Sequence, residues 1–389
     1  MKVLIIAMCD SVHTAGWIRQ FVDSGVRFTL YPSTPHRRVH PQLRQALKAD
    51  TRGHLKMRHL DRIFALPLGI ADLIFRNRAR AVLLRRLIVR GGFDMIHILE
   101  SQHAGYLYEE ALKSIKVRPP TALSIWGNDL FWFARSTKHR EQIVRLLSFV
   151  DLMFTECCRD QNLARELGYR GSFAARIPAS GGVGPAVDLA RALNIAKTSA
   201  RRGIVVKGYT GFRGRARIAL NALVEKRHLL NGFEISVYSA SWWMLLYVRY
   251  LELRYRLTIT GYRKKSLSHA SMLKLFQEAR VSLAVSLSDG LPGSAREAMW
   301  TGAFPIESVG SCLGEWLHHG TSCFLVDPDR PETVAAAVEQ AIIDDGLVDE
   351  ASGINFGLAG QLTYESVKSV ALGEYEQLYK STLRTNEAN

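Results

Sequence analysis

The amino-acid sequence predicts an α/β protein made of two Rossmann-like, doubly wound domains that face a cleft. Short apolar strands alternate with helical patterns almost throughout the chain, as in parallel sheets covered by helices on both faces. Residues 178–188, rich in Gly and Pro and without an apolar period, interrupt this alternation and predict a linker. With 389 residues, the chain is long enough for two cores of ordinary size.

Five strands are predicted in the first half, where we place an N-terminal domain over residues 1–180. The strands are predicted at residues 2–8, 26–32, 95–99, 121–127 and 151–157. Helices are predicted at residues 13–25, 104–114, 138–148 and 161–168, together with a basic helical region between the second and third strands.

The same pattern restarts after the linker, where we place a C-terminal domain over residues 200–362. Strands are predicted at residues 203–209, 233–240, 257–261, 281–287, 303–308 and 323–326. Helices are predicted at residues 214–226, 268–279, 331–343 and 363–383, with short ones after residue 293 and near 313–319. In such domains ligands bind at the carboxyl ends of the strands.

The net charge of +15 is concentrated in the first half of the chain. Residues 37–90 alone hold 14 Lys/Arg against 3 Asp/Glu, and their longest uncharged run is nine residues. That run is well below the roughly 20 residues that span a bilayer. The pattern suits docking on an anionic membrane surface, or a solvated helical face whose arginine stems cover the core. A nucleic-acid partner is not expected, because no recognised binding motif accompanies the charge.

The sequence pattern near the first residues shows neither a signal peptide nor a dinucleotide-binding GxGxxG motif. The first residues, MKVLIIAM, are typical of a strand rather than a signal peptide, so we expect a cytoplasmic protein, with peripheral membrane association as a hypothesis. CDSVHTAGW follows the first strand where a dinucleotide-binding enzyme has GxGxxG, so we expect no nicotinamide or flavin cofactor.

The strongest functional signal is SLSDGLPGSAREAMWTG, residues 286–302. An apolar strand runs into a Gly/Pro loop that opens a helix, where free backbone N–H groups and the helix dipole favour an anion such as a diphosphate. Gly290 and Gly293 allow the backbone to approach a ligand closely.

Two acids, Asp289 and Glu297, bracket this loop. Glu297 is expected one turn into the helix, within reach of ribose hydroxyls attached to the diphosphate, and Asp289 would face the opposite end of the ligand. The alternative is structural. Ser294 and Glu297 fit a capping box, in which the glutamate only satisfies a backbone N–H group.

Residues 288–338 resemble the donor-binding region of the family-4 (group 1) retaining glycosyltransferases, which have the GT-B fold. That family has an E-x7-E element, then a run similar to EAMAxGxPVI, a Gly/Glu loop and GxLVxPxDxxxLAxAI. Asp289 and Glu297 fall on the two acids, so the element here is D-x7-E. The other matching positions are Gly302, Pro305, Glu315, Gly320, Pro328 and Asp329.

The resemblance implies roles for this loop. Glu297 would hold the nucleotide ribose, and Asp289 would act beside the reacting sugar, with an arm one methylene shorter than the family's glutamate. The donor sugar and phosphates would also contact the segment Gly290, Leu291, Pro292, Gly293 and Ser294. Asp327-Pro328-Asp329 spells D-x-D but matches the family's V-x-P-x-D turn, so no metal is expected.

A second family element, G-R-x4-K-G, supplies cations that clamp the diphosphate. The corresponding sequence here begins at Lys207 and has Tyr209 at the position of the arginine, with Arg213 at that of the lysine. Lys207, Arg213 and Arg215 are therefore the candidate donor-binding cations, because fixed cations stabilise a leaving diphosphate. Surface charge on a basic protein is the alternative.

The first half resembles the family more weakly, through DSVHTAGWI, FDMIHILESQHAGYL and SIWGNDL. In many members a histidine of the third motif lies beside the reacting carbon, but Trp126 stands here. The candidate catalytic residues in this half are His103 and Asp129, and the candidate acceptor-side residues are His13, Trp126 and Asn128. A structural role is the alternative for each histidine.

The sequence therefore predicts a glycosyltransferase that moves a sugar from a nucleotide-diphosphate sugar to a glycan or a lipid-linked acceptor, with retention. The family's closing helix implies that residues 363–389 cross back to the N-terminal domain. Two competing hypotheses remain: a sugar-nucleotide-binding partner protein of the same fold that transfers nothing, and a membrane or polyanion adaptor driven by charge. For the adaptor, Glu297→Gln would be silent.

Overall fold

A computed structural model describes residues 1–34, 38–58, 78–113, 115, 117–184 and 196–388. The chain divides into two compact units. The first unit consists of Met1–Gly182 together with Tyr364–Asn389, and the second unit is Val183–Thr363. The change of unit falls inside the predicted linker, whose residues 185–188 lie outside the described part of the chain.

Parallel strands form the sheet of the first unit. They are β1 Lys2–Ala7, β2 Arg27–Pro32, β3 Leu55–Met57, β4 Met95–Leu99, β5 Thr121–Ser124, β6 Leu152–Phe154 and β7 Ser172–Phe173. Their order across the sheet is β3-β2-β1-β4-β5-β6-β7. The α-helices are Val12–Arg19, Pro41–Ala49, Arg78–Gly91, Tyr106–Leu112, Thr137–Leu147, Cys158–Glu166 and Tyr364–Ala388, and a π-helical turn, Ser101–Gly105, follows β4.

Hydrophobic clusters cover both faces of this sheet. Because successive side chains of a strand point to opposite faces, Leu4 and Ile6 of β1 enter one cluster while Val3 and Ile5 enter the other. The final helix buries Val367, Ala371, Tyr375 and Leu378 in the second of these clusters. The final helix thus belongs to the first unit, and its residues between Val367 and Leu378 contribute to that unit's core.

A buried histidine ties that final helix to the sheet. Nδ1 of His97 lies 2.6 Å from the Tyr375 hydroxyl, and its Nε2 lies 2.8 Å from the Ser124 hydroxyl. Burial lowers the pKa of His97 from 6.5 to about 3, because the charged imidazolium loses its hydration. His97 therefore stays neutral and connects β4, β5 and the last helix by hydrogen bonds.

The second unit repeats the architecture. Its strands are β8 Gly203–Lys207, β9 Glu234–Ala240, β10 Ile259–Arg263, β11 Ala279–Ala284, β12 Phe304–Ser308 and β13 Phe324–Val326, all parallel, in the order β10-β9-β8-β11-β12-β13. Its α-helices are Ala216–Glu225, Trp242–Tyr255, His269–Glu278, Gly293–Thr301, Pro331–Ile343 and Asp345–Ala359. Ile204 and Val206 of β8 pack on one face and Val205 on the other, so this unit is also doubly wound.

All eleven predicted strands are present, and their ends differ from the predicted ones by at most three residues. The short edge strands β3 and β7 and two helices, Trp242–Tyr255 and Asp345–Ala359, were not predicted. The first of these helices is apolar on most of its circumference and so lacks a helical period. The second contains three glycines, which are poor helix formers, and it folds by burying Val348 and Ala351.

The basic region 37–90 is described only in part. Residues 59–77, which include the apolar stretch IFALPLGIADLIF (63–75), lie outside the described part of the chain. Helix Arg78–Gly91 buries Ala81, Leu84 and Ile88 in the first unit's core. That packing fits the interpretation as a covered core with a solvated basic face. Among the described residues, no helix has the length and apolar character needed to cross a bilayer.

Candidate functional site

The predicted donor residues come together at one edge of the second unit's sheet. Lys207 ends β8, and the Gly/Pro loop follows the neighbouring parallel strand β11. The N–H of Arg215 donates to the carbonyl of Val285 at 2.6 Å, and the N–H of Leu287 donates to the carbonyl of Phe212 at 2.9 Å. These two hydrogen bonds hold the loop after β8 against the loop after β11.

An ion pair joins the two predicted motifs. Nζ of Lys207 lies 2.8 Å from Oδ2 of Asp289. Burial lowers the pKa of Lys207, but the carboxylate of Asp289 opposes this by its charge and its hydrogen bond, and the net pKa is raised. Lys207 is therefore a fixed cation at the carboxyl edge of the sheet.

Glu307, in β12, is a member of this cluster that the sequence analysis did not single out. Its Oε1 accepts a hydrogen bond of 2.6 Å from the Ser294 hydroxyl, and its Oε2 has no partner among the described residues. Burial raises the pKa of Glu307 from 4.5 to about 8, against smaller opposing effects of Lys207 and Ser294. A lone glutamate in the apolar strand FPIES is the signal that points to it.

The helix Gly293–Thr301 begins with an uncapped turn. Its N-cap is Pro292, whose side chain makes no capping hydrogen bond. A Cβ added to the exposed Gly293 would meet no atom within 4 Å. Since backbone N–H groups at a helix N-terminus attract anions, this turn is open to a negatively charged ligand.

The capping-box interpretation of Ser294 and Glu297 is wrong. Ser294 lies inside the helix, after its N-cap, and its hydroxyl donates to Glu307. The carboxylate of Glu297 contacts a different residue, with Oε1 3.2 Å from Nε2 of His269. His269 begins the helix His269–Glu278 and was not predicted as part of the site. Both side chains keep some exposure to solvent.

Other residues of the predicted donor segment have distinct surroundings. Leu291 is buried in a hydrophobic cluster, which anchors the loop, and Pro292 is buried beside it. The N–H of Gly290 donates to Oδ1 of Asp289 at 3.0 Å. The side chains of Arg213 and Arg215 are exposed, unlike that of Lys207.

The first unit carries its own group of predicted residues, after β4 and β5. Asp129 is buried, and its Oδ2 accepts hydrogen bonds from the N–H of Ser101 at 2.9 Å and of Trp126 at 3.1 Å. Burial, together with the charge of Glu100, raises the pKa of Asp129. Asp129 therefore holds the loops after the two strands together.

His103 lies in the π-helical turn and exposes 53% of its side chain. Its Nδ1 is 3.3 Å from Oε2 of Glu100, whose carboxylate also accepts the backbone N–H groups of His103 and Ala104. Glu100 has a φ of 79°, a conformation that non-glycine residues rarely adopt. Strained backbone of this kind is concentrated at functional sites.

Near this turn, an aromatic pair joins two predicted acceptor-side residues. The rings of His13 and Trp126 lie 4.8 Å apart between centroids, at 52°. Nε1 of Trp126 and Oδ1 of Asn128 are buried without a hydrogen-bond partner among the described residues. The first unit thus groups His13, Trp126, Asn128, Asp129 and His103 at the carboxyl ends of its strands.

The D-x-D sequence forms part of a turn after β13. Oδ1 of Asp327 accepts a hydrogen bond of 2.9 Å from the N–H of Asp329, and the N–H of Asp327 donates to the Thr333 hydroxyl at 3.1 Å. The Asp327 carboxylate is thereby engaged in fixing the turn.

Comparison with known proteins identifies the fold. No protein-family model matches the chain, and no curated protein matches its sequence. Sucrose-phosphate synthase from Thermosynechococcus elongatus is 13% identical over 98% of this chain and 100% of its own, with a TM-score of 0.71. HepE from Anabaena, in complex with UDP-glucose, is 12% identical over 97% and 100%, with a TM-score of 0.65. A glycosyltransferase from Rickettsia africae is 13% identical over 97% and 98%, with a TM-score of 0.67.

These similarities extend over nearly the whole chain, but the sequence identity of 12–13% is so low that they show the fold alone. Two parallel sheets with helices on both faces, one in each unit, agree with those structures. The chain therefore has the GT-B fold predicted from its sequence.

Proposed function

We propose that the protein is a glycosyltransferase that takes a sugar from a nucleotide-diphosphate sugar. The bond between the anomeric carbon and the terminal phosphate oxygen would break, and the nucleoside diphosphate would leave. An acceptor hydroxyl oxygen would form the new glycosidic bond, its proton passing to the departing phosphate. We further propose retention at the anomeric carbon, a glycan or lipid-linked acceptor, and no metal or other cofactor, all from the family resemblance.

One observation carries the proposal: a fixed cation lies beside an uncapped helix start. Lys207 supplies the charge, and Gly293 begins the open turn. A diphosphate matches both, since it is anionic and accepts several hydrogen bonds. Glu297, one turn further along the helix, would then accept hydrogen bonds from ribose hydroxyls.

We propose that Asp289 leaves Lys207 when the donor binds and then contacts the hydroxyl groups of the sugar. Its carboxylate pairs with Lys207, 2.8 Å away. An incoming phosphate would compete for that ammonium group and free Asp289 for sugar hydroxyls. Glu307 holds Ser294 in place, and at neutral pH its raised pKa keeps most of it uncharged near the phosphates.

We propose that the first unit binds the acceptor. Asp129 and Glu100 position the loops, and the half-exposed His103 and the His13–Trp126 pair offer groups for an acceptor. Because Trp126 occupies the position of the family's histidine, we do not assign a histidine-assisted step to it.

The first experiment is a thermal-shift panel with UDP-glucose, GDP-mannose, ADP-glucose and TDP-glucose. UDP-glucose leads the panel because HepE, which shares the fold, was crystallised with it. At a hundredfold excess over the dissociation constant, the true donor adds about 2.7 kcal/mol to the free energy of unfolding, which raises Tm by several degrees. No shift with any of the four would count against the proposal.

Transfer itself is tested with the donor that the panel selects. Asp289→Asn and Glu297→Gln should each abolish sugar transfer to acceptors presented in a cell-envelope extract. Glu339→Gln is the matched control, because that glutamate belongs to a surface pair with Lys226, 2.7 Å away. Donor binding without turnover on any acceptor would instead favour the non-catalytic partner protein.

A further inference from the structure

Helix Trp242–Tyr255 of the second unit has an exposed apolar face that the proposed function does not use. At about 100° per residue, five of its large apolar side chains fall within roughly 100° of arc. They are Trp242 (54% exposed), Trp243 (65%), Leu246 (56%), Tyr250 (51%) and Leu253 (65%), and we call them the aromatic face. The opposite side of the helix, with Met244, Val248 and Leu251, is buried in the core.

The aromatic face is unusual for this chain. The other exposed large apolar side chains in the described ranges are Val12, Val89, Val117, Val144, Val309, Ile343 and Ile354, none of which is aromatic and which lie on separate elements. Single exposed apolar residues are normal on a protein surface, whereas a contiguous aromatic group marks an interaction site. The two tryptophan rings stack, with centroids 3.4 Å apart.

Cations surround this face. Arg249 and Arg254 flank it on either side of the helix, by the same 100° geometry. Residues 242–265 contain six Lys/Arg and one acid, Glu252, which pairs with Arg249 at 2.7 Å. The remaining cations are Arg256, Arg263, Lys264 and Lys265, all exposed.

A basic turn lies beside the helix start. The N–H of Lys264 donates to the carbonyl of Ala240, the residue that ends β9, at 3.2 Å. Nζ of Lys264 is 5.7 Å from the Tyr209 ring, and Nζ of Lys207 is 5.4 Å from the same ring. The aromatic face thus adjoins the sheet edge that carries the candidate donor site.

We propose that the aromatic face and its cations dock the second unit on an anionic membrane surface. Tryptophan and tyrosine rings favour the boundary between headgroups and acyl chains, and leucine inserts below it. Arginine and lysine pair with anionic headgroup phosphates. A surface with aromatic residues in its centre and cations at its rim matches the layers of such a membrane. Docking would hold the donor-site edge close to membrane-bound acceptors.

Vesicle flotation tests the proposal with phosphatidylcholine vesicles and with vesicles containing 30% phosphatidylglycerol. The protein should float with the anionic vesicles and not with the neutral ones, and 0.5 M NaCl should release it. The triple change Trp242→Ser, Trp243→Ser, Leu246→Ser should reduce the bound fraction at least tenfold. All three side chains are more than half exposed, so the fold should survive, as a melting curve would verify.

A second variant separates charge from apolar insertion. Arg263→Glu, Lys264→Glu, Lys265→Glu should weaken binding by roughly fivefold per cation on anionic vesicles. Arg86→Glu, Arg90→Glu, on helix Arg78–Gly91 of the predicted basic region, is the matched control and should float like the wild type. Binding of UDP-glucose in solution should be unchanged in the tryptophan variant, so a failed donor site would be recognised separately.

Two results would overturn the proposal. One is flotation of the tryptophan variant to the same extent as the wild type. The other is failure of the wild-type protein to float with the anionic vesicles. If, in addition, the wild type forms dimers by analytical ultracentrifugation and the tryptophan variant does not, the aromatic face belongs to a contact with another copy of this chain.

Discussion

Nζ of Lys207 lies 2.8 Å from Oδ2 of Asp289, and this ion pair connects the end of β8 to the loop after β11. The two residues are 82 positions apart in sequence, yet they belong to the two motifs predicted to bind one donor molecule. The parallel pairing of β8 with β11 explains their meeting, because carboxyl ends of neighbouring parallel strands share an edge.

Removing this cation should weaken nucleotide binding with little effect on the fold. For Lys207→Met we expect a 10- to 150-fold loss of affinity for UDP-glucose by calorimetry, since hydrogen bonds to charged groups contribute about 1.5–3 kcal/mol. Lys264→Met is the control, because Lys264 lies over the same Tyr209 ring but outside the ion pair. Equal affinities in the two variants would contradict the role of Lys207.

The buried carboxyl of Glu307 should give the protein a measurable pH dependence. Its pKa is raised from 4.5 to about 8, so between those values the folded state keeps a proton that the unfolded state has lost. Stability from this group is complete below pH 4.5 and declines as the pH rises towards 8.

Glu307→Gln keeps the shape of the side chain and removes this titration. In urea unfolding, the free energy of unfolding of the wild type should fall relative to the variant between about pH 4.5 and 8. A difference that stays constant over this range would show that Glu307 is ionised in the folded protein.

Substitution by alanine should have different effects at the two ends of helix Gly293–Thr301. At Gly293 it should weaken ligand binding, and at Gly302 it should lower the stability of the fold. Gly293→Ala places a methyl group in open space, so Tm should not fall, whereas UDP-glucose binding should weaken at least tenfold if phosphate approaches that backbone. Gly302 has a φ of +79°, and its Cβ would lie 2.6 Å from the Ser352 hydroxyl. Gly302→Ala should therefore cost roughly 1–2 kcal/mol of stability. Unchanged binding by Gly293→Ala would argue against the proposed phosphate position.

Because His97 is buried in its neutral form, we expect the protein to lose stability in acid. Its pKa falls from 6.5 in the unfolded chain to about 3 in the fold, so protonation favours unfolding. The contribution of His97 is complete above pH 6.5 and declines, by up to about 1.4 kcal/mol per pH unit, as the pH falls towards 3. The wild type should lose stability in this window faster than His97→Gln, measured by urea unfolding. Parallel profiles would contradict the assignment.

Strand alternation allowed most of the fold to be predicted, because buried parallel strands are short apolar runs separated by helices. Helix Trp242–Tyr255 escaped detection because Leu246 and Tyr250 are apolar on its exposed side, while Val248 is apolar on its buried side. Its pattern has no period of 3.6. The exposed apolar residues that obscure the helical period are also the residues on which the proposed membrane docking rests.

The residues of the candidate site could be predicted from the sequence where they belong to motifs of neighbouring residues. Asp289, Glu297 and Lys207 lie in motifs that a single sequence displays. Glu307 and His269 were not predicted as part of the candidate site, because their contacts with Ser294 and Glu297 depend on which segments the fold brings together. The capping-box alternative also needed the structure, since the hydroxyl of Ser294 turns to Glu307 rather than to the helix backbone.

The most direct test of the central claim is a crystal structure of the protein with bound UDP. We expect diphosphate oxygens within hydrogen-bond distance of the Gly293 backbone N–H and of Lys207 Nζ, with ribose hydroxyls on Glu297. The Lys207–Asp289 pair should open in the same crystal. UDP bound elsewhere, with Glu297 still on His269 and Lys207 still on Asp289, would contradict the account.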